Sequence, residues 1–278
     1  MRYASSAVGA HCFAAVVEGD AVIPLDGIAE LGSATPVDVL AAATVRRAGA
    51  VPLDAVRLRP VVPRPGKVIC LGLNYAGHIA ETRRERPEYP VLFAKFADAL
   101  AGPYDDIVKP PESQQVDYEA ELAIVIGRTA RRIPEQDALQ AVAGYTVAND
   151  VTMRDFQYKT HQWLQGKTWP ASTPLGPFLV TPDEVGDPQE LEITLERNGE
   201  RLQHARAGDL LFPVPAIVAL VSQFTPLGPG DVILTGTPGG VGYRRDPQIF
   251  LQAGDVVSVE VGGVGRIENR VVDEAVPA

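Results

Sequence analysis

The chain has 278 residues, and its 25 Lys and Arg against 35 Asp and Glu give a net charge of −10. With 46% hydrophobic and 22% charged residues it has the composition of a globular protein, and no apolar run reaches the ~20 residues of a membrane span. The acidic excess argues against a nucleic-acid-binding protein, which needs a basic surface. The two cysteines are too few for a disulfide scaffold, and no signal peptide is recognisable, so we expect a cytoplasmic protein.

The first 50 residues are predicted to form a β-hairpin followed by a helix. Two apolar runs within residues 11–25 flank a Glu-Gly-Asp turn, which is the pattern of a hairpin. Thr35 is expected to be the N-cap of the helix, Pro36 its first residue and Gly49 its end.

Residues 59–66 contain three prolines and a glycine and are predicted to be a rigid linker. We therefore expect a small N-terminal domain over residues 1–62 and a larger domain over residues 63–278. The strands predicted in the larger domain are 67–73, 91–96, 116–126, 145–149, 191–197, 232–235, 256–261 and 266–272. The helices predicted there are 74–82, 134–142, 152–164 and 215–224.

Turns are expected to be frequent because the chain has 26 Gly and 24 Pro. The pair Asn198-Gly199 predicts a type I′ turn and hence a hairpin. Residues 227–231 (LGPGD) and 251–255 (LQAGD) share a pattern ahead of a strand, so we expect the same tight turn in both.

Carboxylates alternate along the strand predicted over residues 116–126. Asp117, Glu119 and Glu121 share one face of this strand, which then becomes apolar. Asp150 stands at the carboxyl end of another predicted strand, where it is well placed to face a site. Such oxygen ligands suit Mg²⁺ or Mn²⁺. The alternatives are a solvated strand face for the glutamates and a helix N-cap for Asp150.

His78 and Glu81 are three residues apart in the helix predicted over residues 74–82, so they share a helical face. A carboxylate beside an imidazole fixes its tautomer and raises its basicity, so the pair can take up and return a proton. An ordinary surface pair is the alternative. The charged segment over residues 82–89 is interpreted either as the mobile part of a lid or as a solvated loop.

Several polar residues follow Asp150. Arg154 and Gln157 come four and seven positions later, the spacing of one helical face, so both can reach the same site. Lys167 follows a glycine, and its charge can stabilise an oxyanion. Each of the three can also be an ordinary exposed side chain. The glycine-rich residues 236–242 lack the ending of a phosphate-binding loop and are interpreted as a backbone-lined wall for a small anion.

Five parts of the chain, taken in order, resemble the fumarylacetoacetate hydrolase family. They are 72–78 (GLNYAGH), 117–122 (DYEAEL), 149–155 (NDVTMRD), 166–167 (GK) with 174–177 (PLGP), and 234–242 (LTGTPGGVG). The similarity extends over residues 67–272 and implies a mixed β fold with α. Its expected form is a family-type mixed β-roll catalytic domain with a small N-terminal α+β domain. It also implies a homodimer.

The resemblance assigns a metal site and a catalytic pair. It implies that Glu119, Glu121 and Asp150 are ligands of Mg²⁺, with Mn²⁺ as the alternative. It further implies that His78 and Glu81 form a catalytic dyad on a short lid helix. In the metal-dependent part of the family such a dyad activates a water.

The resemblance also implies a role in catalysis for Lys167. The residues expected to bind the substrate are Asn74, Arg154, Gln157, Gly236 and Thr237. For Arg154 the alternative is that it braces the strands that carry the metal ligands. Lys95 matches a lysine of the family, but Phe96 stands where a proline is expected beside it, so the role of Lys95 stays open.

The predicted function is that of a Mg²⁺-dependent hydrolase that cleaves a C–C bond in a 2,4-dioxo acid of the acylpyruvate or fumarylpyruvate type, by way of an enolate. Isomerisation of 2-hydroxyhepta-2,4-diene-1,7-dioate, or decarboxylation of oxaloacetate, is the alternative at the same site. A non-catalytic protein that binds a metal or ligand is a second alternative. The expected partner is a small 2-oxo or 2,4-dioxo acid, with neither nucleic acid nor membrane.

Overall fold

The computed structural model describes residues 1–82 and 85–275. The strands are β1 Arg2–Val8, β2 His11–Glu18, β3 Ala21–Pro24, β4 Val51–Pro52, β5 Arg57–Leu58, β6 Val68–Gly72, β7 Val91–Lys95, β8 Leu100–Ala101, β9 Ile107–Lys109, β10 Val116–Asp117, β11 Ala120–Ile126, β12 Val142–Asn149, β13 Thr152–Met153, β14 Thr173–Val180, β15 Glu192–Arg197, β16 Glu200–Arg206, β17 Val232–Leu234, β18 Val256–Val261 and β19 Gly265–Asp273. The α-helices are α1 Val37–Ala42, α2 Ala76–Thr82, α3 Arg154–Gln157, α4 Leu164–Lys167, α5 Pro182–Val185 and α6 Val214–Phe224.

Short 3₁₀ helices connect several of these elements. They are Arg47–Gly49, Leu53–Ala55, Ala97–Ala99, Glu135–Ala141, Pro188–Glu190, Ala207–Asp209 and Gly242–Arg244. Among the described residues, no helix is both long and apolar enough to cross a membrane. Residues 83–84 of the predicted lid segment lie outside the described ranges.

Most strands join one large mixed sheet. Over residues 1–82 and 85–275 it has twelve strands, in the order β4-β3-β2-β1-β14-β12-β11-β17-β6-β7, with β5 paired to β1 and β8 to β14. A second sheet has the order β16-β15-β18-β19-β9, and β10 pairs with β13. The large sheet runs from the N-terminal strands into the rest of the chain through β1 and β14. The division into domains at residue 62 stays a prediction.

Strand β11 lies inside the large sheet, between β12 and β17, and both of its faces are buried. Leu122 and Ile124 pack into one hydrophobic core, whereas Ala123 and Val125 pack into the core on the opposite face. The alternation predicted for this segment is therefore confirmed from Ala120 onward. Because β11 is covered on both sides, its direction fixes where the polar residues at its N-terminal end come to lie.

The prediction of one continuous strand over residues 116–126 is wrong. The structure has β10 and β11 with an interruption at Tyr118 and Glu119. In the interruption, side chains replace the usual backbone partners: Tyr118 N–H donates to its neighbour Asp117 Oδ1 at 2.9 Å, and Glu119 N–H donates to Asn149 Oδ1 at 3.0 Å. Asp117 and Glu121 therefore do not share a simple strand face.

Helix α1 is much shorter than predicted. It ends at Ala42, because the chain beyond it bends back so that Val45 forms an isolated β-bridge with Leu25. Thr35 is not its N-cap: its Oγ1 accepts a hydrogen bond from Gly32 N–H at 2.7 Å, and Pro36 occupies the cap position without a side-chain bond.

The helix predicted over residues 152–164 is also wrong. Residues 152–153 form β13, because Met153 pairs with Val116, and only the single turn α3 follows before the separate turn α4. No helix begins directly after Asp150, so its interpretation as an N-cap is wrong. The helix predicted over residues 134–142 is a 3₁₀ helix instead.

Two aspartates close the pair of similar turns that the sequence predicts. Asp231 Oδ2 accepts a hydrogen bond from Gly228 N–H at 2.8 Å, and Asp255 Oδ2 accepts one from Gln252 N–H at 2.8 Å. Asp255 also accepts two bonds from Arg197, at 2.9 and 3.2 Å. Burial raises the pKa of Asp255, but the hydrogen bonds from Arg197 and Gln252 outweigh it, so the pKa lies below its usual value.

We expect Asp255→Asn to lower the free energy of unfolding at pH 7 by about 1–3 kcal/mol, because hydrogen bonds to a buried charge are lost. The folded-state pKa of Asp255 is depressed, so its contribution is present above the pKa of the unfolded chain and is lost as the pH falls through the folded-state value. Urea unfolding at pH 7 and near pH 3 should therefore show the difference between wild type and variant shrinking on acidification. Asp98→Asn, at an exposed carboxylate, is the control, and equal stabilities at pH 7 would contradict this role for Asp255.

Candidate metal centre and active site

The sheet brings three carboxylates together at one end of β11 and β12. These strands pair with Ala120 opposite Asn149, and Asp150 N–H donates to the carbonyl of Glu119 at 2.9 Å. One carboxylate oxygen each from Glu119, Glu121 and Asp150 lies within 4.8 Å of the others. We call these three residues the carboxylate triad. All three are buried, which is unusual for acidic side chains unless they are paired or bind a metal.

Three buried cations balance the charge of the triad. Lys167 Nζ lies 2.8 Å from Glu119 Oε2 and 2.7 Å from Asp150 Oδ2. Arg154 Nη2 lies 2.6 Å from Glu119 Oε1, and Lys95 Nζ donates to Asp150 Oδ1. The role that the sequence left open for Lys95 is therefore a direct contact with the triad.

The ion pairs set the protonation of Glu119. Burial raises its pKa, but the charges of Lys167 and Arg154 outweigh this and lower the pKa to about 2. The same pairing raises the pKa of Lys167 above its usual value, even though burial alone would lower it. Both groups are therefore charged at neutral pH.

Glu121 differs from the rest of the triad. Its Oε2 accepts a hydrogen bond from Gly236 N–H at 2.7 Å, but its buried Oε1 has no hydrogen-bond partner. Burial and the neighbouring charges of Asp150 and Glu119 raise its pKa well above the usual value. A buried carboxylate oxygen without a donor, in an all-oxygen set, is a suitable ligand for a hard divalent cation. The triad is therefore able to hold a divalent metal.

Asp117 does not join the triad. Its carboxylate accepts hydrogen bonds from Arg154 Nε at 2.8 Å and from the backbone N–H groups of Gly242 and Tyr243 at 2.8 and 3.0 Å. The interruption between β10 and β11 turns it in this direction. Asp117 thus ties the loop after β17 to the arginine that contacts Glu119.

The predicted pair on α2 is formed. His78 Nδ1 lies 2.7 Å from Glu81 Oε1, and the other oxygen of Glu81 accepts a hydrogen bond from Gly240 N–H at 2.8 Å. One carboxylate therefore orients the imidazole and also connects α2 to the glycine-rich loop. A carboxylate acceptor at Nδ1 favours the tautomer in which Nε2 is free to accept a proton.

A narrow cavity lies between Glu119 of the triad and α2, and Glu121 and Asp150 are not among the residues that line it. The sequence-predicted residues that line it are His78, Glu119, Arg154, Gln157, Lys167 and Thr237. Polar and aromatic residues that the sequence did not single out also line it: Thr82, Phe93, Tyr158, Trp163, Tyr243 and Arg244. Tyr243 and Arg244 could have been predicted from the sequence, because they directly follow the glycine-rich residues 236–242.

Gly166 explains how Lys167 reaches the triad. A Cβ atom at position 166 would lie 2.5 Å from the backbone nitrogen of Gln157, so α4 can approach α3 this closely only with glycine there. On the other side, Arg154 Nη1 donates to Gln157 Oε1 at 2.9 Å. Arg154, Gln157 and Lys167 thus meet at one site, although the long helix expected to align the first two is absent.

Two of the predicted substrate-binding residues have structural tasks and are absent from the cavity wall. The side-chain amide of Asn74 is buried and bonds to the backbone of Phe212 and Thr235, with donor–acceptor distances of 2.7 to 3.2 Å. Gly236 acts through its backbone N–H, which holds Glu121.

Thr237 lines the cavity, and its Oγ1 accepts a hydrogen bond from Gln203 Nε2 at 2.9 Å. Gln203 also donates to the carbonyl of Pro238 at 2.8 Å and accepts from Ala120 N–H at 2.9 Å. This glutamine, which sequence reasoning missed, therefore connects the loop after β17 to the start of β11.

Comparison with known proteins places this chain in a family. Residues 67–272 match the family model for the C-terminal domain of fumarylacetoacetate (FAA) hydrolase. The chain is 46% identical over 245 residues to the oxaloacetate tautomerase FAHD2B, mitochondrial, of Bos taurus, covering 87% of this chain and 78% of that protein.

Solved structures are similar to this chain over nearly its whole length. The 5-carboxymethyl-2-hydroxymuconate delta-isomerase of Mycobacterium smegmatis is 35% identical with a TM-score of 0.84. The fumarylacetoacetate hydrolase of Exiguobacterium antarcticum is 34% identical with a TM-score of 0.85, and each comparison covers 99% of this chain and 100% of the other. The mixed β fold with few helices is thereby confirmed, and the chain belongs to the fumarylacetoacetate hydrolase family of enzymes.

Proposed function

We propose that this enzyme interconverts the keto and enol forms of a small 2-oxo acid of the oxaloacetate type and depends on a divalent metal. The observation that carries the proposal is that Glu119 of the carboxylate triad and His78 of the His78–Glu81 pair line the same cavity. The carboxylate triad can hold a cation, and the His78–Glu81 pair can move a proton beside it. Relatives named oxaloacetate tautomerase support this choice of reaction.

Glu119, Glu121 and Asp150 are the residues that would hold the metal, and we propose Mg²⁺, with Mn²⁺ as a substitute. When bound there, the ion supplies a Lewis acid that stabilises the negative charge of an enolate. Lys167 and Arg154 keep Glu119 ionised, and the N–H of Gly236 holds one oxygen of Glu121.

The protein supplies the acid and base for the reaction. In the keto-to-enol direction His78 Nε2 takes a proton from the carbon next to the keto group and then gives it to the enolate oxygen. In the enol-to-keto direction it removes the hydroxyl proton and delivers it to that carbon. Glu81 accepts from Nδ1–H and so stabilises the imidazolium that forms. Gln157 and Thr237 line the cavity where the acid binds. Arg154 and Lys167, which hold Glu119 of the triad, line the same cavity, and their N–H groups would flank the oxyanion.

Hydrolysis of a C–C bond in a 2,4-dioxo acid is the second candidate. The same His78–Glu81 pair can take a proton from water instead of carbon, which favours hydrolysis over decarboxylation, a reaction with less need of such a base. A relative of similar fold is named fumarylacetoacetate hydrolase. We also propose, from the resemblance alone, that the enzyme is a homodimer. The predicted cytoplasmic location stays a prediction, since several relatives carry names that include the word mitochondrial.

We expect Glu121→Gln to weaken Mn²⁺ or Mg²⁺ binding at least tenfold, because a charged ligand is replaced by a neutral amide. Without metal, the variant should be no less stable than wild type, because a buried carboxyl group with one unpartnered oxygen is replaced by a neutral amide. Isothermal titration calorimetry and urea unfolding measure the two quantities. Asp255→Asn, at a buried carboxylate outside the site, is the control for metal binding, and unchanged metal affinity in Glu121→Gln would contradict the ligand assignment.

We expect His78→Gln to lower kcat for enol-to-keto conversion about 10²- to 10⁴-fold, because the general base is removed. The assay follows the ultraviolet absorbance of enol oxaloacetate in the presence of Mg²⁺. Metal affinity should stay within twofold of wild type, since His78 is no ligand. His161→Gln, at an exposed histidine, should leave the rate unchanged.

The same samples separate the candidate reactions. Faster enol decay with wild type, without pyruvate formation, supports the tautomerase. Cleavage of an acylpyruvate without any effect on the enol supports the hydrolase instead. If wild type accelerates neither reaction while it binds Mg²⁺, both candidates are wrong.

A further inference from the structure

Arg244 lines the cavity, and its charge has no anionic partner within the described residues. It lies on the cavity wall together with Lys167 and Arg154, but unlike them it is exposed at the rim. Its guanidinium has no hydrogen bond or ion pair within residues 1–82 and 85–275. Its recorded contact is with the ring of Tyr243, whose centroid lies 5.1 Å from Cζ.

The two buried cations of the cavity, Lys167 and Arg154, already form ion pairs with carboxylates of the protein. Lys167 contacts two carboxylates of the triad, and Arg154 contacts Glu119 and Asp117. Their charges are therefore balanced within the protein, and they are poor receptors for a further carboxylate at the rim. Arg244 has the donor groups for two parallel hydrogen bonds to a carboxylate and lacks an anionic partner of its own.

The loop that carries Arg244 is held firmly in place. Its backbone is tied to Asp117 through the N–H groups of Gly242 and Tyr243. The next residue, Arg245, is turned away from the cavity and donates to the carbonyls of Gly240 and Leu202 at 3.1 and 2.6 Å. The ring of Tyr243 packs against Tyr158 with centroids 5.2 Å apart. Of these two neighbouring arginines, Arg244 therefore lines the cavity, whereas Arg245 stabilises the loop through its hydrogen bonds to backbone carbonyls.

We infer that Arg244 is a specificity-determining residue that selects 2-oxo acids carrying a second carboxylate. The inference rests on the proposed function, since it requires the 2-oxo carboxylate to bind at the triad. The second carboxylate then lies towards the rim and pairs with Arg244. The enzyme therefore prefers a dianionic substrate over a monoacid of the same length.

The test uses two unreactive acids that differ only at the far end. L-malate carries a second carboxylate, and (S)-2-hydroxybutanoate has a methyl group in its place. Calorimetric titration of the Mg²⁺-loaded protein should show malate binding at least tenfold more tightly in wild type. Arg244→Gln should lose most of this preference and bind 2-hydroxybutanoate within twofold of wild type. Arg244→Lys should restore part of the malate affinity, because the charge returns without the bidentate geometry.

Arg128→Gln is the matched control, because Arg128 is an exposed arginine outside the cavity and its loss changes the net charge equally. It should keep the wild-type preference. Unchanged malate affinity in Arg244→Gln overturns the inference, as does a wild type that binds the two acids equally or binds neither. Neither acid reacts, so this result is independent of whether the enzyme proves to be a tautomerase or a hydrolase.

Discussion

The balance of buried charge at the carboxylate triad is the constraint on which the site depends. Glu119 and Asp150 are removed from water and are paired with Lys95, Lys167 and Arg154, which come from different parts of the chain. Burying such groups costs free energy that the ion pairs largely offset, whereas loss of one partner typically costs 3–5 kcal/mol, about half of the stability of a small domain. The positions of β7, α3 and α4 are therefore tied to the charges that they carry.

Local patterns in the sequence were enough to predict a large part of the site. The alternation along β11 predicted the side on which Glu121 lies, and helical spacing predicted that His78 and Glu81 would meet. The type I′ hairpin at Asn198 and Gly199 was also predictable, because these residues adopt positive φ values of 52° and 81°. In each case the signal lies within a few residues, where backbone geometry alone decides the outcome.

Other features could not be predicted because they depend on contacts between distant segments. Lys95 meets Asp150 across 55 positions, and nothing in the residues around it indicates this partner. Arg154 and Gln157 were expected at the site for an incorrect reason, a long helix, whereas the site is built by β13 and one helical turn. At the interruption between β10 and β11, Glu119 N–H likewise bonds to the side chain of Asn149, which lies on a neighbouring strand.

Glu81 couples two parts of the site, because its two oxygens contact different partners. One oxygen contacts the imidazole of His78, and the other accepts the N–H of Gly240. The same carboxylate thus orients the imidazole and attaches α2 to the glycine-rich loop, so displacing α2 from this loop would also remove the acceptor that sets the tautomer of His78. The position of α2 and the protonation of the proposed base therefore depend on one side chain.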